Sequence, residues 1–278
     1  MAHNKRLTTV TAGRLVSAVI YDQAMPSDPQ RVRAAKTKIS SEARQRLNRR
    51  QSWQKCEAVL AANFDAGDLW VTLTYDDAHL PDTWAGAQRC IADFFRRLRR
   101  LRQQRGEELR YVKNIEDMTK HGEPTRYHHH LVINGTGEDY NDIRRCWPYG
   151  VNVEIEPFLS DGETYEDVAR YMTKQRPPVG SQSWTPSRNL KRPVRESVMV
   201  PDNLTVSPPN GARVLDGPHT ISNAWGSYTY VRYLLPQQPR PRVTEIHTDD
   251  FISDLGQCIS LGKSRKKRRS GIASGATN

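Results

Sequence analysis

Cysteine is scarce in this chain. Its four residues, Cys56, Cys90, Cys146 and Cys258, are scattered and form no Cys-x-x-Cys pair. That excludes a zinc ribbon or finger and a disulfide framework, and it suits a reducing cytoplasm. Long apolar runs are missing too: none approaches the length of a membrane span, and no signal peptide is visible at the N-terminus. A Walker A loop is absent, because five residues separate Gly256 from Gly262-Lys263-Ser264, one more than the motif has, and no strand precedes them. Negative charge is the outnumbered sign: 31 Asp plus Glu face 42 Lys plus Arg, for a formal charge of +11. Such an excess favours a polyanionic partner, with nucleic acid as the default. An anionic membrane would match the same charge, but the chain offers nothing to insert.

The 278 residues suffice for one sizeable domain with tails or for two small domains. Residues 1–40 mix Lys, Arg, Ser and Pro without clear periodicity and read as a mobile basic arm. A helical pattern runs from Ser41 to Asn63, and Leu69 to Tyr75 reads as a strand. Trp84 to Gln104 is a long helix with an apolar stripe of Ile91, Phe94, Phe95, Leu98 and Leu101. Its other faces hold Arg96, Arg97, Arg99, Arg100, Arg102 and Arg105. Leu109–Glu116 and Arg126–Asn134 read as a hairpin, Asp142–Cys146 as a short helix and Val151–Glu156 as a fourth strand. The order β-α-β-β-α-β predicts an α+β, ferredoxin-like split β-α-β fold with a central antiparallel sheet. The expected domain spans 41–176. Residues 177–235 read as an irregular extension packed on it, within which Trp225 to Leu234 could add an edge strand. Residues 236–278, with six basic residues among Lys263–Arg269, read as a disordered basic tail.

Two segments carry chemistry. The first is Arg126-Tyr-His-His-His-Leu-Val-Ile-Asn134. Side chains alternate along a strand, so His128 and His130 share a face, about 7 Å apart, and can hold one divalent cation. His129 shares the other face with Tyr127, Leu131 and Ile133, so it is expected to be buried, neutral and hydrogen-bonded rather than a ligand. The second segment is Glu163–Gln175. Thr164 and Asp167 resemble a capping box. Tyr165, Val168, Ala169 and Met172 make the buried stripe of this helix, which leaves Asp167, Tyr171 and Lys174 together on the other side.

A His-hydrophobic-His strand followed by a helix with Tyr-x-x-Lys resembles the HUH endonucleases, in particular the rolling-circle replication initiators of phages and plasmids. Here the motifs are His128-His129-His130 and Tyr171-Met172-Thr173-Lys174, with His129 departing from the usual apolar middle position. The family's Thr-containing first strand looks like Trp70-Val-Thr-Leu-Thr-Tyr-Asp76. Ala62-Asn63-Phe64, Trp184-Thr-Pro-Ser-Arg-Asn-Leu190 and Pro193 look similar to phage-type initiators, so the resemblance covers about residues 45–235.

The resemblance implies a metal-dependent endonuclease that nicks and rejoins single-stranded DNA at a replication origin. Tyr171 would be the nucleophile and form a 5′-phosphotyrosine link, and Lys174 would assist it. His128 and His130 would hold Mg²⁺ or Mn²⁺. Glu116 is the expected third ligand, with Asp117 competing if the hairpin slips by one residue. Asp167 stands where two-tyrosine relatives carry their first tyrosine, so a single-tyrosine mechanism is expected. A host helicase and polymerase in a bacterial cytoplasm are the implied partners, with no membrane. Arg96, Arg97 and Arg100 on the long helix, with Trp184 and Arg188, are candidate DNA contacts, and Tyr228 and Tyr230 could stack on bases. Relaxases and single-tyrosine transposases use the same constellation. A non-catalytic nucleic-acid-binding protein would bind without metal and without Tyr171, and a metal-dependent hydrolase would cleave without a covalent adduct.

Overall fold

The computed structural model describes residues 5–22, 42–118, 123–159, 164–174, 178, 181–223 and 226–236, with backbone only at 42–47, 223 and 226. The expected tail, 236–278, lies outside the described residues except at Pro236. In chain order the elements begin with strands β1 (Lys5–Ala12) and β2 (Leu15–Asp22) and helix α1 (Glu42–Asn63). Strand β3 (Leu69–Thr74), helix α2 (Trp84–Gln104), strands β4 (Tyr111–Met118) and β5 (Pro124–Ile133), helix α3 (Asp139–Cys146) and strand β6 (Val153–Pro157) follow. Helix α4 (Tyr165–Met172), the short β7 (Thr185–Pro186), β8 (Val194–Val200), β9 (Arg213–Asn223) and β10 (Gly226–Leu234) complete the chain.

The fold is α+β, with two antiparallel five-stranded sheets and four helices among the described residues. One sheet has the order β6-β3-β5-β4-β7. Its β3-α2-β4-β5-α3-β6 portion has the connectivity of a ferredoxin-like fold, as expected from the sequence. Apolar alternation sets its two faces. Val71, Leu73, Leu131 and Ile133 turn one way, against Ile91, Phe94 and Leu98 of α2 and Ile143 of α3. Val112 and Val132 turn the other way, against Cys56 and Leu60 of α1 and Val168, Ala169 and Met172 of α4. Each large apolar side chain taken out of water here contributes about 1.5–3 kcal/mol, so a one-residue slip of β5 would invert both cores.

Arg102 departs from the sequence reading, which set it on a solvated face. Its side chain is fully buried. It donates to Asp139 Oδ1 at 2.6 Å and to the Asn134 side chain and carbonyl, each at 2.9 Å. Its stem follows the apolar stripe past Leu98, and the charge is matched where α2, β5 and α3 converge.

The second sheet, of order β8-β1-β2-β10-β9, is the main correction. Residues 5–22, expected to belong to a mobile arm, form a hairpin whose two strands lie inside this sheet. Most of the extension expected to be irregular supplies the other three strands. The 226–234 strand is interior rather than an edge, since it pairs with both β2 and β9. The physical reason is sequence distance: Lys5 pairs with Val200 and Leu15 with Leu234, so no local pattern registers either partner. Helix α1 runs between the two sheets. Cys56 and Leu60 pack on the first, while Ala58, Ala61 and Ala62 meet Ala12 and Leu15 of the second. At the hairpin turn Gly13 has a φ of 57° and a Cβ there would collide with the Ala61 carbonyl, so this contact requires glycine.

Candidate metal and nucleophile site

Three antiparallel strands and one helix end build the site. β5 pairs with β3 and β4 so that His130 lies beside Thr72 and Asn114, and His128 beside Thr74 and Glu116. Directly paired residues share a face, which puts His128, His130 and Glu116 on the side covered by α4. The register therefore selects Glu116 over Asp117, whose side chain belongs to the other face. The imidazole and carboxylate ligand atoms of Glu116, His128 and His130 all lie within 4.8 Å of one another.

Helix α4 begins at the capping box seen in the sequence: Thr164 Oγ1 accepts from the Asp167 amide at 3.2 Å, and the Thr164 amide donates to Asp167 Oδ2 at 3.0 Å. Val168, Ala169 and Met172 are buried as expected. Asn114 Nδ2 donates to the Met172 carbonyl at 3.2 Å and ties the end of the helix to β4. Tyr171 is thereby left 37% exposed, with its hydroxyl turned into the cluster. That hydroxyl lies 3.0 Å from His130 Nε2 and donates to Glu116 Oε2 at 3.2 Å. Lys174 Nζ is 2.8 Å from Glu116 Oε1 and 3.7 Å from the centre of the Tyr171 ring. Asp167 is occupied with its cap.

The ring orientations suit a cation. The Arg126 carbonyl accepts from His128 Nδ1 at 2.9 Å, which fixes the proton there and leaves Nε2 for Glu116 or a metal. His130 Nδ1 faces Thr72 Oγ1 at 3.2 Å, and its ring stacks on Trp70 with centroids 5.4 Å apart. Burial pulls His130 below the usual imidazole value and outweighs its bond to Glu116. At His128 burial acts the same way, but bonds to Glu116 and the Arg126 carbonyl raise it. At Glu116 burial is overcome by His128, His130 and Lys174, which hold the carboxyl well below the ordinary range. Burial, then the Glu116 charge, pushes the Tyr171 phenol upward. Two imidazoles and an ionised carboxylate form a donor set that fits a transition-metal cation and accepts Mg²⁺ less readily. The orienting groups Thr72, Trp70 and the Arg126 carbonyl escaped the sequence reading. Only the Thr in the first-strand motif pointed toward them.

His129 behaves as expected: it is fully buried, and its Nε2 lies 2.7 Å from the Tyr75 hydroxyl on the opposite face. Burial holds it well below the usual imidazole value, in the neutral form. The DNA-contact candidates gather less well. Arg96, Arg97 and Arg100 are exposed, but α2 covers the sheet face opposite the cluster. Arg96 pairs with Asp93 at 2.6 Å, and Arg97 lies over the Tyr149 ring. Trp184 packs against the α1 side of the first sheet and donates to Ser52 at 3.2 Å, so it is no open platform. Arg188 is exposed and makes no contact with the cluster.

Fold and site together define a class: an α+β protein with a His-His-Glu cluster on its sheet and a tyrosine held over it. Residues 68–176 match the family model of the replication-associated protein ORF2. The matched span includes His128, His130, Glu116, Tyr171 and Lys174, and it supports a role in replication initiation and interaction with DNA. No curated protein and no solved structure matches the chain.

Proposed function

We propose that the protein is a single-tyrosine, divalent-metal-dependent endonuclease that nicks and rejoins single-stranded DNA to start rolling-circle replication. One observation carries this reading: the Tyr171 hydroxyl lies within hydrogen-bond distance of both His130 and Glu116, inside a cluster able to hold a cation. His128, His130 and Glu116 would hold Mg²⁺ or Mn²⁺, which when bound supplies Lewis-acid polarisation of a phosphate oxygen.

The chain's own residues do the rest. Tyr171 Oη attacks the scissile phosphorus; an O–P bond forms as the bond from phosphorus to the 3′ oxygen breaks. The phenol proton is lost, and the departing 3′ oxygen takes one up and leaves as a hydroxyl that can prime synthesis. Because the phosphoester is conserved as 5′-phosphotyrosine, a 3′-hydroxyl can reverse the step and rejoin the strand without ATP. Lys174 offsets the Glu116 charge beside the phenol and can stabilise charge on the phosphate. A single tyrosine, with Asp167 engaged in its cap, fits one strand end at a time. The expected setting is a bacterial cytoplasm, with helicase and polymerase supplied by the host.

The test is a denaturing gel of purified protein with labelled single-stranded origin oligonucleotides, with and without Mn²⁺. A metal-dependent covalent adduct is expected, absent from Tyr171→Phe and from His128→Ala/His130→Ala. Cleavage without an adduct would point to a hydrolase, and binding without cleavage to a non-catalytic DNA-binding protein.

A further inference from the structure

The face of the second sheet that looks toward α1 borders a groove of about 1020 Å³. Its walls are of two kinds. Tyr228 and Tyr230, alternate residues of β10, lie side by side with centroids 6.2 Å apart and planes 26° from parallel, and Trp184 stands across from them. Arg50 and Lys55 of α1 and Arg195 of β8 line the same groove and are exposed. None of the three has an ion-pair partner among the described residues. The acidic residue of the groove, Glu57, is already matched, since Arg232 donates to both of its oxygens at 2.5 Å.

The groove continues into a cleft of about 500 Å³, with which it shares Arg50 and Arg232. That cleft contains Arg49 and also Arg170, the residue before Tyr171, whose guanidinium lies 4.2 Å from the Trp53 ring centre. Its carboxylates are taken as well: Glu166 pairs with Arg170 and Arg232, and Asp216 with His219.

We infer that this groove is a second binding site for single-stranded DNA, which leads the strand across the outer sheet to the tyrosine helix. Side-by-side aromatics with π-faces open to solvent, bordered by unpaired cations, are the chemistry that holds unpaired bases and their phosphates without reading sequence. The inference rests on the single-strand reaction proposed above, and it adds an anchoring surface outside the matched family span.

The experiment measures fluorescence anisotropy of a labelled oligo-dT of about 20 nucleotides, without metal, against full-length protein. Tyr228→Ala/Tyr230→Ala and Lys55→Glu/Arg195→Glu are each expected to weaken binding about tenfold or more. The charge-reversal variant is also expected to lower the slope of log affinity against log salt by about one or more. Thermal melts establish that each variant is folded. Photo-crosslinking of wild type with a bromodeoxyuridine-substituted strand is expected to label Tyr228, Tyr230 or Trp184, independently of any variant. Unchanged affinity in both folded variants, with crosslinks confined to other residues, would overturn the groove while the tyrosine adduct, if formed, left the proposed reaction standing. Absence of both binding and adduct in the wild type would overturn the two together.

Discussion

Tyr171, His130 and Glu116 share one hydrogen-bonded triangle, and this makes separate demands on each residue. Tyr171→Phe removes a half-exposed hydroxyl whose two partners remain bonded to each other at 3.0 Å. Folding stability should therefore change by no more than about 1 kcal/mol, read by urea unfolding, while the covalent adduct disappears. Thr72 makes no contact with the expected cation, yet it holds Nδ1 of His130. Thr72→Val keeps the shape and loses that partner, so Mn²⁺ affinity measured by calorimetry should fall about 10- to 100-fold. An unchanged affinity would mean that the Trp70 stack alone orients the ring. Lys174→Met should slow adduct formation about 100-fold in single-turnover assays, with far less effect on oligonucleotide binding.

At the scale of elements, the position of α4 depends on Arg232. This buried residue of β10 donates to Glu57 of α1 and, at 3.0 Å, to Glu166 of α4, so three elements are joined through one guanidinium. Arg232→Met would strand two carboxylates, one of them buried, and should cost about 3–5 kcal/mol, measured by denaturant unfolding. The same junction gives a pH dependence. Burial lifts Glu57 from 4.5 to about 7 against the lowering pull of Arg232. A carboxyl raised on folding contributes stability that is complete below its unfolded value and lost as pH rises through its folded value. Wild type should thus lose about 2–3 kcal/mol between pH 4.5 and pH 8 from this group. Glu57→Gln, which cannot ionise, should show a shallower decline in unfolding experiments across that range. The elements that build the candidate site were legible because their signals are local. The 3.6-residue stripe of α2, the capping box of α4 and the alternation through His128–Ile133 each lie within one element. Arg102 was misread because periodicity reports position on a helix, not the carboxylate that waits in another element.

At the scale of the molecule, the second sheet was not legible, although its residues are ordinary strand formers. Thr8, Thr9, Val10 and Thr11 have high strand preference, but their ladder partners stand almost two hundred positions away, among prolines and asparagines that read as loop. The consequence is testable by truncation. Deleting residues 1–22 removes the two strands between β8 and β10, leaving α1 with one apolar flank uncovered. The truncated protein should melt at least 10 °C lower or be recovered aggregated, since losses of several kcal/mol shift a domain this size by roughly that much. A soluble truncation with the wild-type melting temperature would show that the hairpin is dispensable.

The strand order also has a temporal meaning. Every strand of the first sheet from β3 to β6, and the tyrosine helix after them, is synthesised before β8 exists. The opening hairpin leaves the ribosome first, yet β2 gains its second neighbour only when residues 226–234 have emerged. The chain therefore assembles from the middle outward, and its first-made segment is among the last to find its place. A polypeptide interrupted after residue 174 would carry the histidines, Glu116 and Tyr171 but none of the outer wall, so completion of synthesis is itself the step that gives the site its surroundings.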